Sequence, residues 1–187
     1  MNGYSFALFV HFLSLLLAVA ATSLNLQSAL ILCSAADSEQ AFSILQRTRR
    51  FRPLFPLATL GLLGSGGFMI HTTWQWTNAW VCCSIAGLLM IVVLGAGVEG
   101  SRMRALGREL ASGKMTAGAR RLQSDPLAWS ARFIMVGLII AVVFLMTTKP
   151  RLPDALAILC AAIACGALSA IPLWTSEKVV MSPNTES

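Results

Sequence analysis

Two histidines, His11 and His71, and three soft ligands, Met69, Cys82 and Cys83, are the residues of this chain best suited to chemistry. Imidazole offers a neutral nitrogen to haem iron, and two histidines on facing helices can hold one haem. Copper would instead draw on the Met69 thioether and the Cys82 and Cys83 thiols beside imidazole. Cys82 and Cys83 are adjacent, so on a helix they point about 100° apart and do not easily share one ion. Haem b or copper held through His11 and His71 is the sharp expectation. The plain alternative is that His11 makes an interhelical hydrogen bond and His71 is an interfacial residue. No Ser-His-Asp set, paired intramembrane carboxylates or phosphate-binding glycine loop is visible, and no catalytic residue is assigned.

The elements that must position these residues are membrane spans. The 187 residues are 56% hydrophobic and 12% charged. A soluble domain carries about twice that charge. A mean hydropathy of +0.72 fits a chain that mostly faces lipid. The expected fold is an all-α, polytopic helical bundle of about five spans, at 4–32, 54–73, 80–98, 127–146 and 155–174, forming one domain over 1–174. The tail at 175–187 reads as disordered. Cys33, Cys82, Cys83, Cys160 and Cys165 all lie in or beside apolar runs. They read as small buried hydrophobes rather than a disulfide framework.

The first run ends its front half in Ala18-Val19-Ala20, a small-x-small pattern like a signal-peptide cleavage site. No Lys or Arg precedes it, so a retained helix is expected. A 3.6-residue period places His11, Ala18, Thr22 and Asn25 on one face, with Ser14 at its edge, and a polar stripe in a membrane faces other helices. The second span carries Gly61, Gly64, Gly66 and Gly67, with Gly64, Gly67 and His71 on one face. Gly61, Gly64 and Gly67 are expected to let a neighbouring helix approach, or to leave room for a flat ligand beneath His71. In the third span Cys83, Gly87 and Met90 share a face. Residues 99–125 read as a basic amphipathic segment, with Met103, Leu106 and Leu110 at helical spacing, lying on the membrane surface. Ser124-Asp125-Pro126 signals the start of the fourth span, and Lys149-Pro150 the turn after it.

Charge sets the expected sidedness. Arg47, Arg49, Arg50 and Arg52 lie in the first loop. Arg102, Arg104, Arg108, Lys114, Arg120, Arg121 and Arg132 lie in or beside the third, and Lys178 in the tail. An N-out, C-in topology puts these twelve of the fourteen cations inside and leaves Lys149 and Arg151 outside, as the positive-inside rule requires. The expected location is the inner (plasma) membrane. The inner arginines would contact anionic lipid or a cytoplasmic partner, and their place beside apolar spans argues against nucleic acid. Trp74, Trp76 and Trp80 would form an outer aromatic belt, and both histidines would share the outer leaflet.

The chain resembles a group of small bacterial membrane proteins. The resemblance rests on Val10-His11-Phe12-Leu13 in the first span, a basic loop, a Pro/Gly-rich second span and Met146-Thr147-Thr148-Lys149-Pro150. The group includes CopD-like copper-resistance membrane proteins, uncharacterised predicted integral membrane proteins and, more distantly, HemJ-type protoporphyrinogen oxidases. It implies a bacterial inner-membrane bundle in which His11 binds haem or a metal. The third-span histidine of the HemJ-type pattern has no counterpart here. A reading from another class is a non-catalytic accessory subunit, packed through small-residue faces against a larger complex or a second copy of itself.

Overall fold

The computed structural model describes residues 2–35, 37–111 and 116–171. Lys114, the last expected spanning residues at 172–174 and the tail at 175–187 lie outside that set. The described residues are mostly helical, with no strand among them. Five stretches are long and apolar enough to cross a membrane: Gly3–Cys33, Ser38–Thr73, Ala79–Leu110, Ala117–Thr148 and Leu152–Ser169. The protein is a multi-pass, all-α membrane bundle.

Local chemistry marks the helix ends. Helix α1 (Gly3–Cys33) is apolar on most sides and buries the stripe Ala7, His11, Ser14, Ala18, Ala21, Thr22 and Ala29. Helix α2 (Ser38–Phe51) starts at Asp37, whose carboxylate accepts from the Gln40 N–H at 2.7 Å. Glu39 in its first turn and Arg49 and Arg50 in its last complement the helix dipole. It runs through Pro53 into α3 (Leu54–Thr73), where proline is tolerated at a helix start. Helix α4 (Ala79–Val93) continues through a π-helical segment, Leu94–Glu99, into α5 (Gly100–Leu110). A short α6 (Ala117–Gln123) precedes α7 (Pro126–Thr148), which begins as Asp125-Pro126 foretells, with the Asp125 carboxylate accepting from Leu127 N–H at 3.1 Å. Helix α7 ends at Lys149 in the left-handed conformation, φ 50°, before Pro150. Helix α8 is Leu152–Ser169.

The bundle has two packed groups. Helix α1 packs on α3, while α7 packs on α8 and α4. Helix α7 meets α8 through bare backbone. A Cβ at Gly166 would lie 2.6 Å from the Ile134 Cα, and one at Gly137 would lie 2.8 Å from the Ala162 carbonyl oxygen. Glycine is what permits a crossing this close.

The arginine-bearing segments depart from the sequence expectation. Met103, Leu106 and Leu110 do not rest on a membrane surface. They are buried with Leu32, Ala41 and Ala119 in a core shared by α1, α2, α5 and α6. The apolar stripe of α5 is covered by protein, from α1, α2 and α6, which removes it from water as effectively as lipid would. At the opposite end Trp74 and Trp80 meet edge to face at 5.5 Å, and the Lys149 ammonium lies 4.0 Å from the Trp74 ring centroid. That cation–π contact ties the α3–α4 hairpin to the α7–α8 turn.

Candidate functional site

The expected outer-layer residues are each occupied separately. His11 is buried on the α1–α3 seam, its Nδ1 3.1 Å from the Ser65 hydroxyl. Ser65 in turn donates to the Gly61 carbonyl. A Cβ at Gly66 would lie 3.4 Å from His11 Cε1, and one at Gly61 would collide with the Ser14 hydroxyl. Gly61 and Gly66 are thus the glycines that let α1 approach. Gly64 and Gly67 are not, because nothing lies within 4 Å of where their Cβ atoms would be. Ser14 is buried with the stripe, and Asn25 is only half-buried.

His71 is exposed. It lies five residues beyond Gly66, so about 7.5 Å along the axis and about 140° round it from the His11 contact. The two imidazoles do not face one another. Cys82 is exposed and donates its thiol to the Trp76 carbonyl at 3.3 Å, whereas Cys83 is buried against Leu145 and Ala155. Met69 is half-buried on α3, and Met90 is exposed, off the buried face that carries Cys83 and Gly87. Among the described residues no three His, Cys, Asp or Glu side chains converge. The two histidines and the soft ligands are thus placed separately rather than in one cluster. His11→Ala should therefore act as a packing change: about 1–3 kcal/mol of stability from the lost interhelical bond and the cavity, read in detergent melts.

The geometry that does stand out lies at the other end. Glu99 and Arg132 are 6% and 5% exposed and form an ion pair, Arg132 Nε donating to Glu99 Oε1 at 3.1 Å. The guanidinium also lies 4.9 Å from the Trp129 ring centroid. Its Nη1 is buried with no partner among the described residues. Burying a guanidinium is costly even when paired, so such pairs in membrane helices mark function more often than they add stability. From sequence alone, Glu99 falls at the start of a loop and Arg132 at the flank of a span. The π-helical turn explains the pairing. Each extra residue per turn rotates the succeeding stretch of helix by about 100°, and π-bulges recur at functional positions. Gly95 and Gly97 within Leu94–Glu99 leave the widened turn unobstructed, Gly95 lying against Phe55 and Met135.

The pair lines a cavity of about 470 Å³. Thr22 and Asn25 of α1, Phe55 and Leu60 of α3, Val92 of α4 and Met135 of α7 complete its wall. Its size is that of small-ligand sites. Leu60 on its wall is 69% exposed, and α3 and α4, which both line the cavity, pack on different partners. Arg52, Met103 and Arg104 lead from it into a wider groove of about 1040 Å³ between α2 and α5. Arg102, half-buried beside them, is held by Asp125 at 2.7 Å. Arg47 lies on α2, and Arg120 and Arg121 on α6, outside both linings. Compared with protein-family models, curated proteins and solved structures, the chain matches none.

Proposed function

We propose that this protein binds a membrane amphiphile in the cavity around Glu99 and Arg132. One observation carries the reading: a buried guanidinium, only partly satisfied by its carboxylate, on the wall of a mainly apolar cavity whose lining includes the exposed Leu60 of α3. An acidic or strongly polar head lies beside the Glu99–Arg132 pair, and a hydrocarbon chain lies along Phe55, Leu60 and Val92. The concentration of arginine at this end supports its assignment to the cytoplasmic side of the membrane, with N-out, C-in topology.

The test is lipid analysis of protein purified in mild detergent, combined with native mass spectrometry. The wild type is expected to retain one amphiphile per chain. Glu99→Gln/Arg132→Gln, which removes both charges, should retain much less. Ala96→Phe, which fills the cavity from the π-helical wall, should do the same. Equal retention by all three proteins sinks the proposal. A Soret band lost in both His11→Ala and His71→Ala would restore haem as the bound group.

A second reading, the accessory subunit, draws on Gly64 and Gly67. They face open space on a membrane helix, where another helix can approach closely. It predicts a membrane partner whose recovery falls in Gly64→Leu/Gly67→Leu.

A further inference from the structure

The groove between α2 and α5 is lined by Arg49, Arg50, Arg52, Arg104 and Arg108. Among the described residues no Asp, Glu or Lys lines it. All five arginines are exposed at the surface, in contrast to Arg102, which Asp125 holds, and Arg132, which Glu99 holds. Five guanidinium groups gathered in one groove repel each other unless an anion lies between them. Guanidinium is the cation that grips phosphate through paired N–H donors, whereas ammonium acts as a point charge. The groove shares Arg52, Met103 and Arg104 with the apolar cavity, so one molecule can occupy both.

We propose that the groove is a headgroup site for an acidic phospholipid, with the phosphate held by the α2 and α5 arginines and an acyl chain entering the cavity. This rests on the amphiphile reading of the cavity and adds the class of ligand. Charge complementarity selects the occupant: arginines without acids in the groove, and apolar residues deeper within the bundle. A zwitterionic headgroup places its own cation among the arginines and is disfavoured. Free phosphate would satisfy the arginines but leave the apolar cavity unused.

The experiment uses the full chain in nanodiscs of phosphatidylcholine mixed with phosphatidic acid, and native mass spectrometry identifies the lipid that stays bound on release. The wild type should retain phosphatidic acid over phosphatidylcholine by about tenfold or more, because several arginines face the anionic headgroup. Arg49→Gln/Arg50→Gln/Arg108→Gln should retain a lipid with the preference gone. These side chains are exposed, and an unchanged melting temperature confirms that this variant is folded. The matching triple lysine variant, which keeps charge and loses the planar fork, should fall between the two. Inorganic phosphate should leave the lipid in place, and displacement by it overturns the lipid assignment. So does retention of both lipids in equal amount by the wild type, which overturns the headgroup site while leaving the cavity reading intact. Failure to retain any lipid sinks the cavity reading itself. An acidic protein that co-purifies with the wild type and not the glutamine variant, when both hold lipid alike, gives the groove to a protein instead.

Discussion

Glu99→Gln alone and Arg132→Gln alone should each destabilise the protein severely, while the two together should cost far less than either sum would suggest. The physical reason is the asymmetry of buried charge. The pair is almost wholly removed from solvent, at 6% and 8% side-chain exposure. Removing one partner leaves the other buried and uncompensated, which costs about 3–5 kcal/mol. Removing both charges eliminates two desolvation penalties along with the attraction, and it leaves no uncompensated buried charge. Arg132→Gln also loses the contact with Trp129, worth about 1–2 kcal/mol in a desolvated site, so it should be the worse of the two single changes. The measurement is a double-mutant cycle on detergent-solubilised protein, by thermal melting or urea titration. A coupling energy near zero would falsify the ion pair. The cycle is also independent of the ligand reading, because stability and lipid retention are separate measurements. A double variant that is stable and still retains lipid would leave the pair as architecture alone.

The same pair shows which features a sequence reveals. The five spans are legible because each is a local property of composition, and α7 is legible at both ends because Asp125-Pro126 and Lys149-Pro150 are local signals. The buried stripe of α1 is legible because polar groups in an apolar helix must meet partners. Glu99 and Arg132 are 33 residues apart on different helices, and the π-turn that aligns them has no reliable sequence mark. Arg132 counts as a topological charge and has a second role that charge counting does not show. Met103, Leu106 and Leu110 illustrate a further limit. An amphipathic helix states that one face is apolar but not whether lipid or protein will cover it, and here α1, α2 and α6 supplied the cover. His11 and His71 stand out in the sequence by their rarity. The structure spends His11 on Ser65 and leaves His71 at the surface, and neither outcome is written in residues near them.

Glycine substitutions should separate the two helix groups in the opposite order from the one that glycine counting implies. Helix α3 holds the conspicuous cluster, yet Gly64→Ala and Gly67→Ala should change stability by no more than about 0.5 kcal/mol, because a methyl group at either meets nothing. Gly166→Ala should cost about 1–3 kcal/mol or more, since the added methyl lands on the main chain of Ile134 and Phe133, at 2.6 to 2.9 Å from their atoms. Side chains can swing aside, but backbone cannot without moving the helix. Gly61→Ala is the informative intermediate: its obstacle is the Ser14 hydroxyl, which can rotate away at the expense of the packing around His11 and Ser65. In a chain of this size each kcal/mol shifts the melting temperature by about 2–4 °C, so the predicted order, with Gly166→Ala worst, Gly61→Ala next and Gly64→Ala unchanged, is well separated in a thermal scan. Gly166→Leu should prevent α8 from docking on α7 altogether. Because α7 carries Arg132 and Met135 into the cavity, displacement of α8 should also loosen the cavity wall, and lipid retention should fall with stability. In Gly64→Ala both should remain at the wild-type level. If Gly64→Ala instead proves as damaging as Gly166→Ala, the open face of α3 is covered in the native membrane, and the accessory-subunit reading gains the support that the single chain does not supply.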